Sequence, residues 1–129
     1  GRDLLPEPGS DAYISHLELM HFAEGSAMTP ILLNLYVGRL GDAGAPLKPR
    51  IDQQLASHFA YMEAVIRPSG HFVLDTLSAV DIMLSFPAEV AIAQGQGKNL
   101  PRLKDFVEGI HSRPAWTRAL ERGGAYRFA

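Results

Sequence analysis

The chain has 129 residues, of which 47% are hydrophobic and 20% charged, and its formal net charge is -2. This length and composition predict one globular domain, and the small negative charge argues against a broad cationic surface for nucleic acid or an anionic membrane. No apolar run reaches the length of a membrane-spanning helix, and the absence of cysteine excludes disulfides, thiolate metal sites and a cysteine nucleophile.

The first ten residues differ in composition from the rest of the chain. They include Pro6 and Pro8 and carry no initiator methionine, which is typical of a cut linker. We therefore predict a linker remnant over 1–10 and a single domain over 11–129, with further sequence upstream. Because no signal peptide is visible, we expect the protein in the cytoplasm.

Helical spacing of apolar residues dominates the domain, and no segment alternates as a strand would. The expected fold is all-α, a bundle of five helices. The first helix starts at Ser10 or Asp11, either of which can cap it, and ends near Leu40, where glycines and prolines follow. A kink is predicted within 25–30, which contains glycine, serine and proline.

The second and third helices have contrasting patterns. The second runs from about Pro49 to a stop near 68–70 and is amphipathic. The third follows Ser78, whose hydroxyl can pair with the backbone of Asp81 while the Asp81 carboxylate returns to Ser78 in a capping box. The run 82–92 behind this box is apolar on nearly all sides, so we predict a central core helix.

Proline residues mark the starts of the last two helices, at Pro101 and Pro114. The fourth helix carries one apolar stripe. The fifth is short, contains Trp116 and is closed by glycines at 123–124.

Two Glu-x-x-His pairs lie on predicted helices, at 18–21 and 108–111. Such pairs can hold a di-iron or di-manganese centre when two further helices each supply a glutamate, here Glu63 and Glu89. Both members of the second pair, however, lie well off the apolar stripe of their helix, by about 140° and 80°, and are predicted to point sideways or outward. We therefore predict no metal site.

Other catalytic motifs are also missing. The chain has no Gly-x-Ser-x-Gly motif, and an all-helical fold has no strand to carry one. No glycine motif for phosphate or dinucleotide binding is present. No catalytic residue is predicted.

The first helix carries more apolar surface than one core contact needs. Tyr13 and Met20 fall on one stripe, and Leu19 and Leu33 on a second face. The helix is predicted either to touch a second partner, such as a neighbouring subunit or another domain, or to form a longer buried stretch of one bundle. Glu24 lies on the first stripe, so its carboxylate must reach solvent, pair with a cation or face a site.

Several segments resemble the all-helical C-terminal domain of glutathione S-transferases, above all of bacterial and fungal members, and the resemblance spans 11–129. It rests on residues 20–26 (MHFAEGS), 71–82 (HFVLDTLSAVDI), 85–87 (SFP), 111–116 (HSRPAW) and 118–124 (RALERGG).

The resemblance implies a homodimer whose first two helices help form the interface, and an N-terminal thioredoxin-like domain that lies before this chain. In the family that domain holds most of the glutathione site and the residue that stabilises the thiolate, while the helical domain supplies the wall for a small apolar electrophile. By position, Glu24 resembles the acidic residue that reaches glutathione in the partner subunit of some members. Candidates for the electrophile wall are Tyr13, Met20, Met28 and Trp116.

Two positions depart from the family pattern. Leu74 stands where the family usually has glycine before Asp75, so a turn with positive φ would be strained or remodelled. Val80 replaces a usual alanine inside the box, which tightens the packing there without removing the cap.

The function that follows is the helical half of a glutathione transferase, nearly inert when alone. The alternative is a non-catalytic helical interaction module of the same fold. Conjugation and peroxide reduction both stay open, since both use the same thiolate.

Overall fold

The computed structural model describes the backbone of residues 2–128 and the side chains of residues 3–128, so Gly1 and Ala129, the outer ends of the two predicted segments, lie outside the described residues. Within that range the regular elements are all helical, and the predicted all-α fold is confirmed. The main helices are α1 (Asp11–Phe22), α2 (Met28–Gly38), α3 (Lys48–Val65), α4 (Ala79–Ala93), α5 (Pro101–His111) and α6 (Pro114–Gly123). A π-helical turn, Ala23–Ala27, joins α1 and α2 into one rod, which gives the five rods that the sequence predicts.

Three shorter 3-10 segments are also present. Arg2–Leu4 precedes the first rod, and Gly41–Leu47 and Gln96–Lys98 lie between rods.

The helix ends follow local sequence signals. The Ser10 hydroxyl accepts a hydrogen bond from the N–H of Tyr13 at 3.2 Å and so caps α1. Pro101 and Pro114 occupy the first positions of α5 and α6, where a missing N–H costs nothing. After α4 the chain turns at Gly95 with φ 82°, a conformation that favours glycine.

The predicted capping box at the start of α4 is present and also fixes the preceding loop. Fully buried Asp81 accepts hydrogen bonds from the N–H and the hydroxyl of Ser78, at 2.6 and 2.7 Å, and from the N–H of Phe72 at 2.9 Å. No residue other than glycine has positive φ in the described part of the chain. Leu74 therefore does not adopt the positive φ that would strain it.

Helix α4 packs against α1, α2, α3 and α5 and supplies the centre of the core. Its fully buried apolar residues are Val80, Leu84, Ala88 and Ala91. The helix is nevertheless open on one side, because Ile82 is 51% and Phe86 is 37% exposed. The prediction of burial on nearly all sides is wrong for this face, where Ile82 and Phe86 stay partly exposed.

Helix α2 keeps an apolar face in contact with solvent. It contains no charged residue, and it exposes Leu32, Leu33, Leu35 and Tyr36. Of the second face predicted for the first rod, Leu33 lies on this exposed surface, whereas Leu19 is buried in the core. None of the helices within residues 2–128 is both long and apolar enough to cross a lipid bilayer.

Candidate functional site

The π-helical turn Ala23–Ala27 presents Glu24 to solvent. Ala23 and Ala27 are fully buried, whereas Glu24 and Gly25 are exposed. The turn lies just before Pro30, which has no N–H to donate to the carbonyl of the preceding turn. Such π turns are frequent at functional sites because they interrupt the helical hydrogen bonds and reorient a side chain. Glu24 is therefore exposed at a helix irregularity and forms no ion pair with the other described residues.

The other predicted wall residues of the first rod lie at intervals along it. Tyr13 stacks on His16, with ring centroids 6.2 Å apart. Met20 is half-buried and packs against the core, and Met28 is half-buried at the first position of α2. These side chains line none of the clefts described below.

Trp116 lies at the start of α6, in a group of stacked rings. Its indole stacks on the His111 imidazole with centroids 4.1 Å apart and planes 14° apart, and the Tyr126 ring meets it edge-on at 5.4 Å. The described contacts join Trp116 to none of Tyr13, Met20 and Met28. The structure therefore places the predicted wall residues on two separate parts of the bundle.

Beneath Trp116 lies a buried carboxylate that the sequence analysis did not single out for this role. Glu89 on α4 is 3% exposed and accepts hydrogen bonds from His111 Nε2 at 2.8 Å and from the Tyr126 hydroxyl. A carboxylate inside a protein is stable only when it is paired and hydrogen-bonded. Burial, followed by the hydrogen bond to Glu89, raises the pKa of Tyr126, so the phenol remains a donor. A lone glutamate in the apolar run of α4 was the available signal.

This arrangement also corrects the predicted direction of His111. Its imidazole turns back toward α4 because Glu89 lies within reach, whereas Glu108 is exposed and pairs with Lys104 on its own helix. Glu63 accepts backbone N–H groups at the start of α5. Among the described residues no group of three or more candidate ligands is close enough to hold a metal ion.

One face of Trp116 forms a wall of an apolar cleft between α4, α5 and α6. The cleft has a volume of about 300 Å³, close to the lower limit for small-molecule sites. The residues that line it are Leu77, Ile82, Ser85, Ile110, Arg113, Ala115, Trp116 and Ala119. Its walls are mostly apolar, and Arg113 is the one charged residue among them.

Two further clefts, of about 470 and 490 Å³, have a more polar lining than the cleft beside Trp116. They lie along α1 and α3 and share Glu18 and Tyr61. The Tyr61 hydroxyl donates to Glu18 at 2.9 Å. Burial, then this hydrogen bond, raises the pKa of Tyr61, so this phenol also stays protonated at neutral pH. Phe22 packs on the Tyr61 ring with centroids 4.8 Å apart, which fixes the ring between the two helices.

Comparison with protein-family models and with curated proteins gives no match. The fold matches the crystal structure of a glutathione S-transferase from Actinobacillus pleuropneumoniae with a TM-score of 0.78, at 19% sequence identity over 98% of this chain. The chain spans 61% of the length of that protein. A likeness at this identity concerns the fold, and activity is a separate matter. The bundle described here has the fold of the C-terminal helical domain of a glutathione S-transferase.

Proposed function

We propose that this chain is the helical half of a glutathione transferase that acts in the cytoplasm, where glutathione keeps thiols reduced. The match of nearly the whole chain to part of a glutathione S-transferase carries the proposal. In it, a thioredoxin-like domain holds most of the glutathione and stabilises its thiolate. The helical chain supplies an apolar wall for the second substrate, and Glu24 reaches glutathione bound in a partner subunit.

The site geometry supports this division of labour. The cleft beside Trp116 has the apolar lining that suits an electrophile, and Glu24 is exposed on the π turn. In the reaction, the glutathione sulfur forms a bond to an electrophilic carbon while a leaving group such as chloride departs with its electron pair. Peroxide reduction would use the same thiolate, so activity on a chloronitroarene and on a hydroperoxide should be compared.

The partner surface of the proposed homodimer is the exposed face of α2. Leu32, Leu33 and Tyr36 form an apolar patch on a helix without charges, and such patches commonly mark interfaces. The same observation supports the second candidate function, a non-catalytic module that docks on other proteins through this face.

The test separates the chain from its proposed first domain. We expect residues 1–129 alone to show no glutathione binding by calorimetry, and the chain fused behind a thioredoxin-like domain to be retained on immobilised glutathione. In the fusion, Glu24→Gln should weaken glutathione binding by about ten- to a hundredfold, since a hydrogen bond to a charged group is worth roughly 1.5–3 kcal/mol. The matched control is Glu121→Gln, a change at an exposed glutamate on α6. Micromolar binding by the chain alone, or a fusion that is not retained, would contradict the proposal.

A further inference from the structure

Arg113 is the charged member of the cleft beside Trp116, and its guanidinium has no hydrogen-bond or ion-pair partner among residues 3–128. No acidic side chain lines this cleft. Asp105 lies with Arg113 along the rim of a neighbouring cleft of about 260 Å³, but the two form no ion pair. Among these residues, no partner competes with a ligand for the guanidinium of this lining residue.

The backbone around Arg113 adds to the positive potential. Arg113 precedes α6 in an extended conformation, with φ -74° and ψ 139°, and Pro114 and Ala115 form the first turn. No side chain caps this helix start. The positive end of the α6 dipole thus lies next to Arg113, which is a lining residue of the cleft.

The remaining walls select an apolar body of limited size. Leu77, Ile82 and Trp116 are among the apolar lining residues, and the volume of about 300 Å³ admits one substituted ring. An apolar wall beside a guanidinium lowers the local dielectric, which strengthens attraction to an anion relative to open solvent.

We propose that this cleft binds small apolar anions, namely carboxylates or sulfonates of a ring-sized hydrocarbon, with the anionic group on Arg113 and the hydrocarbon against Trp116. The assignment of such molecules as the second substrate rests on the proposed function. The binding itself is a property of this chain and needs no glutathione.

The single tryptophan of the chain makes the test direct, because Trp116 alone accounts for tryptophan fluorescence. The probes are tert-butylcyclohexanecarboxylate and its carboxamide, which share a hydrocarbon body and differ in charge. We expect both to change Trp116 emission, with the carboxylate binding about three- to tenfold more tightly at low ionic strength, as befits a partly exposed ion pair. Calorimetry on the same samples gives the affinities independently.

Variants then assign the preference to one side chain. Arg113→Gln should equalise the two affinities, and Arg113→Lys should retain part of the difference. The control is Arg118→Gln, a change at an exposed residue of α6 that does not line the cleft, and it should leave the affinity difference unchanged. Equal affinity in the unaltered chain, a preference that survives Arg113→Gln, or no binding at roughly 10 mM probe would overturn the proposal.

The two proposals fail separately. If the carboxylate preference is found but the fusion conjugates no electrophile, the proposed function fails and the anion site stands. If the fusion conjugates an electrophile but the carboxylate binds no more tightly than the carboxamide, the anion site is wrong and the transferase function stands.

Discussion

Gly44 shows how a single position can exclude every side chain for reasons of space. It lies in the 3-10 segment Gly41–Leu47, which folds back on the end of α2. A Cβ at this position would lie 2.4 Å from the Val37 carbonyl oxygen and 2.8 Å from Val37 Cγ1. Because the nearer atom belongs to the backbone of α2, the clash cannot be relieved by a rotamer change alone.

We expect Gly44→Ala to lower the free energy of unfolding by about 1–3 kcal/mol, the usual cost of overpacking. The matched control is Gly109→Ala inside α5, where a Cβ would have no neighbour within 4 Å. That change should raise the stability by about 0.5–1 kcal/mol, because alanine loses less backbone entropy in a helix. Urea unfolding monitored by circular dichroism measures both, and equal effects of the two changes would refute the steric argument.

Tyr126 gives a prediction with a defined pH dependence. Burial, and then the Glu89 carboxylate, raises its pKa above the ordinary value of 10.0. A folded-state pKa above the unfolded value means that the interaction stabilises fully below about pH 10 and is lost as the pH rises through the folded-state pKa.

We therefore expect Tyr126→Phe to be less stable than the unaltered chain near pH 8 by about 1–3 kcal/mol, since it removes a donor from a buried carboxylate. The difference should shrink only above about pH 10. Tyr36→Phe, at a 56% exposed tyrosine, is the control and should have little effect at either pH. A Tyr126→Phe difference that disappears below pH 9 would contradict the assigned direction.

At the scale of elements, the start of α5 depends on a side chain from another helix. Its N-cap residue, Leu100, offers no side-chain acceptor. Glu63 on α3 supplies one instead, and its two carboxylate oxygens accept the N–H groups of Arg102 at 3.0 Å and Leu103 at 2.8 Å. A carboxylate at this end of a helix also interacts favourably with the helix dipole.

We expect Glu63→Ala to lower the free energy of unfolding by about 1–2 kcal/mol, as the loss of an N-cap does. Glu63→Gln should cost less, because an amide oxygen can still accept one bond. Glu121→Ala, which removes an exposed glutamate of α6, is the comparison. Thermal unfolding at neutral pH measures all three, and indistinguishable midpoints for Glu63→Ala and Glu121→Ala would show that the cap contributes nothing.

These elements also show what the sequence can and cannot reveal. Ser10, the box at Ser78 and Asp81, and the prolines that open α5 and α6 are local signals, so the helix starts were predictable from a few neighbouring residues. The kink predicted within 25–30 overlaps the π turn for the same reason. The role of Glu63 was not predictable, because its partners lie 39 and 40 residues further along the chain.

Some features of the candidate site could likewise be predicted from the sequence, and others could not. The apolar pattern of the first rod draws attention to Glu24. The family resemblance points to both Glu24 and Trp116. The pairing of Glu89 with His111 and Tyr126 depends on how α4, α5 and the last residues meet, and no periodicity encodes that distance. The exposure of Ile82 was missed because an apolar run shows which residues avoid water, while the faces that receive a covering helix depend on the whole bundle.

At the scale of the whole molecule, the uncovered face of α2 leads to an assembly prediction. Its exposed residues include Leu32, Leu33 and Tyr36, and an apolar patch of this kind favours association. We expect the chain to form a dimer in sedimentation velocity experiments at micromolar concentration. Leu33→Glu should shift the equilibrium toward monomer by at least tenfold, since it would bury a charge without a partner.

The control for the dimer is Thr117→Glu, which adds the same charge at an exposed position of α6. It should leave the dimer unchanged. A chain that is monomeric at every concentration would contradict the predicted dimer. A dimer that dissociates equally in both variants would place the interface elsewhere.

The carboxylate of Asp81 has a consequence for the irregular segment 66–78. The amide groups of Phe72 and Ser78, six positions apart, both donate to this one buried side chain. Neither amide proton can exchange with water until its hydrogen bond to the Asp81 carboxylate breaks. Breaking these bonds also opens the first turn of α4. In deuterated solvent we expect these two amide protons to be retained as long as those of the central helix α4. The segment 66–78, which has no regular structure, would then open and close together with α4.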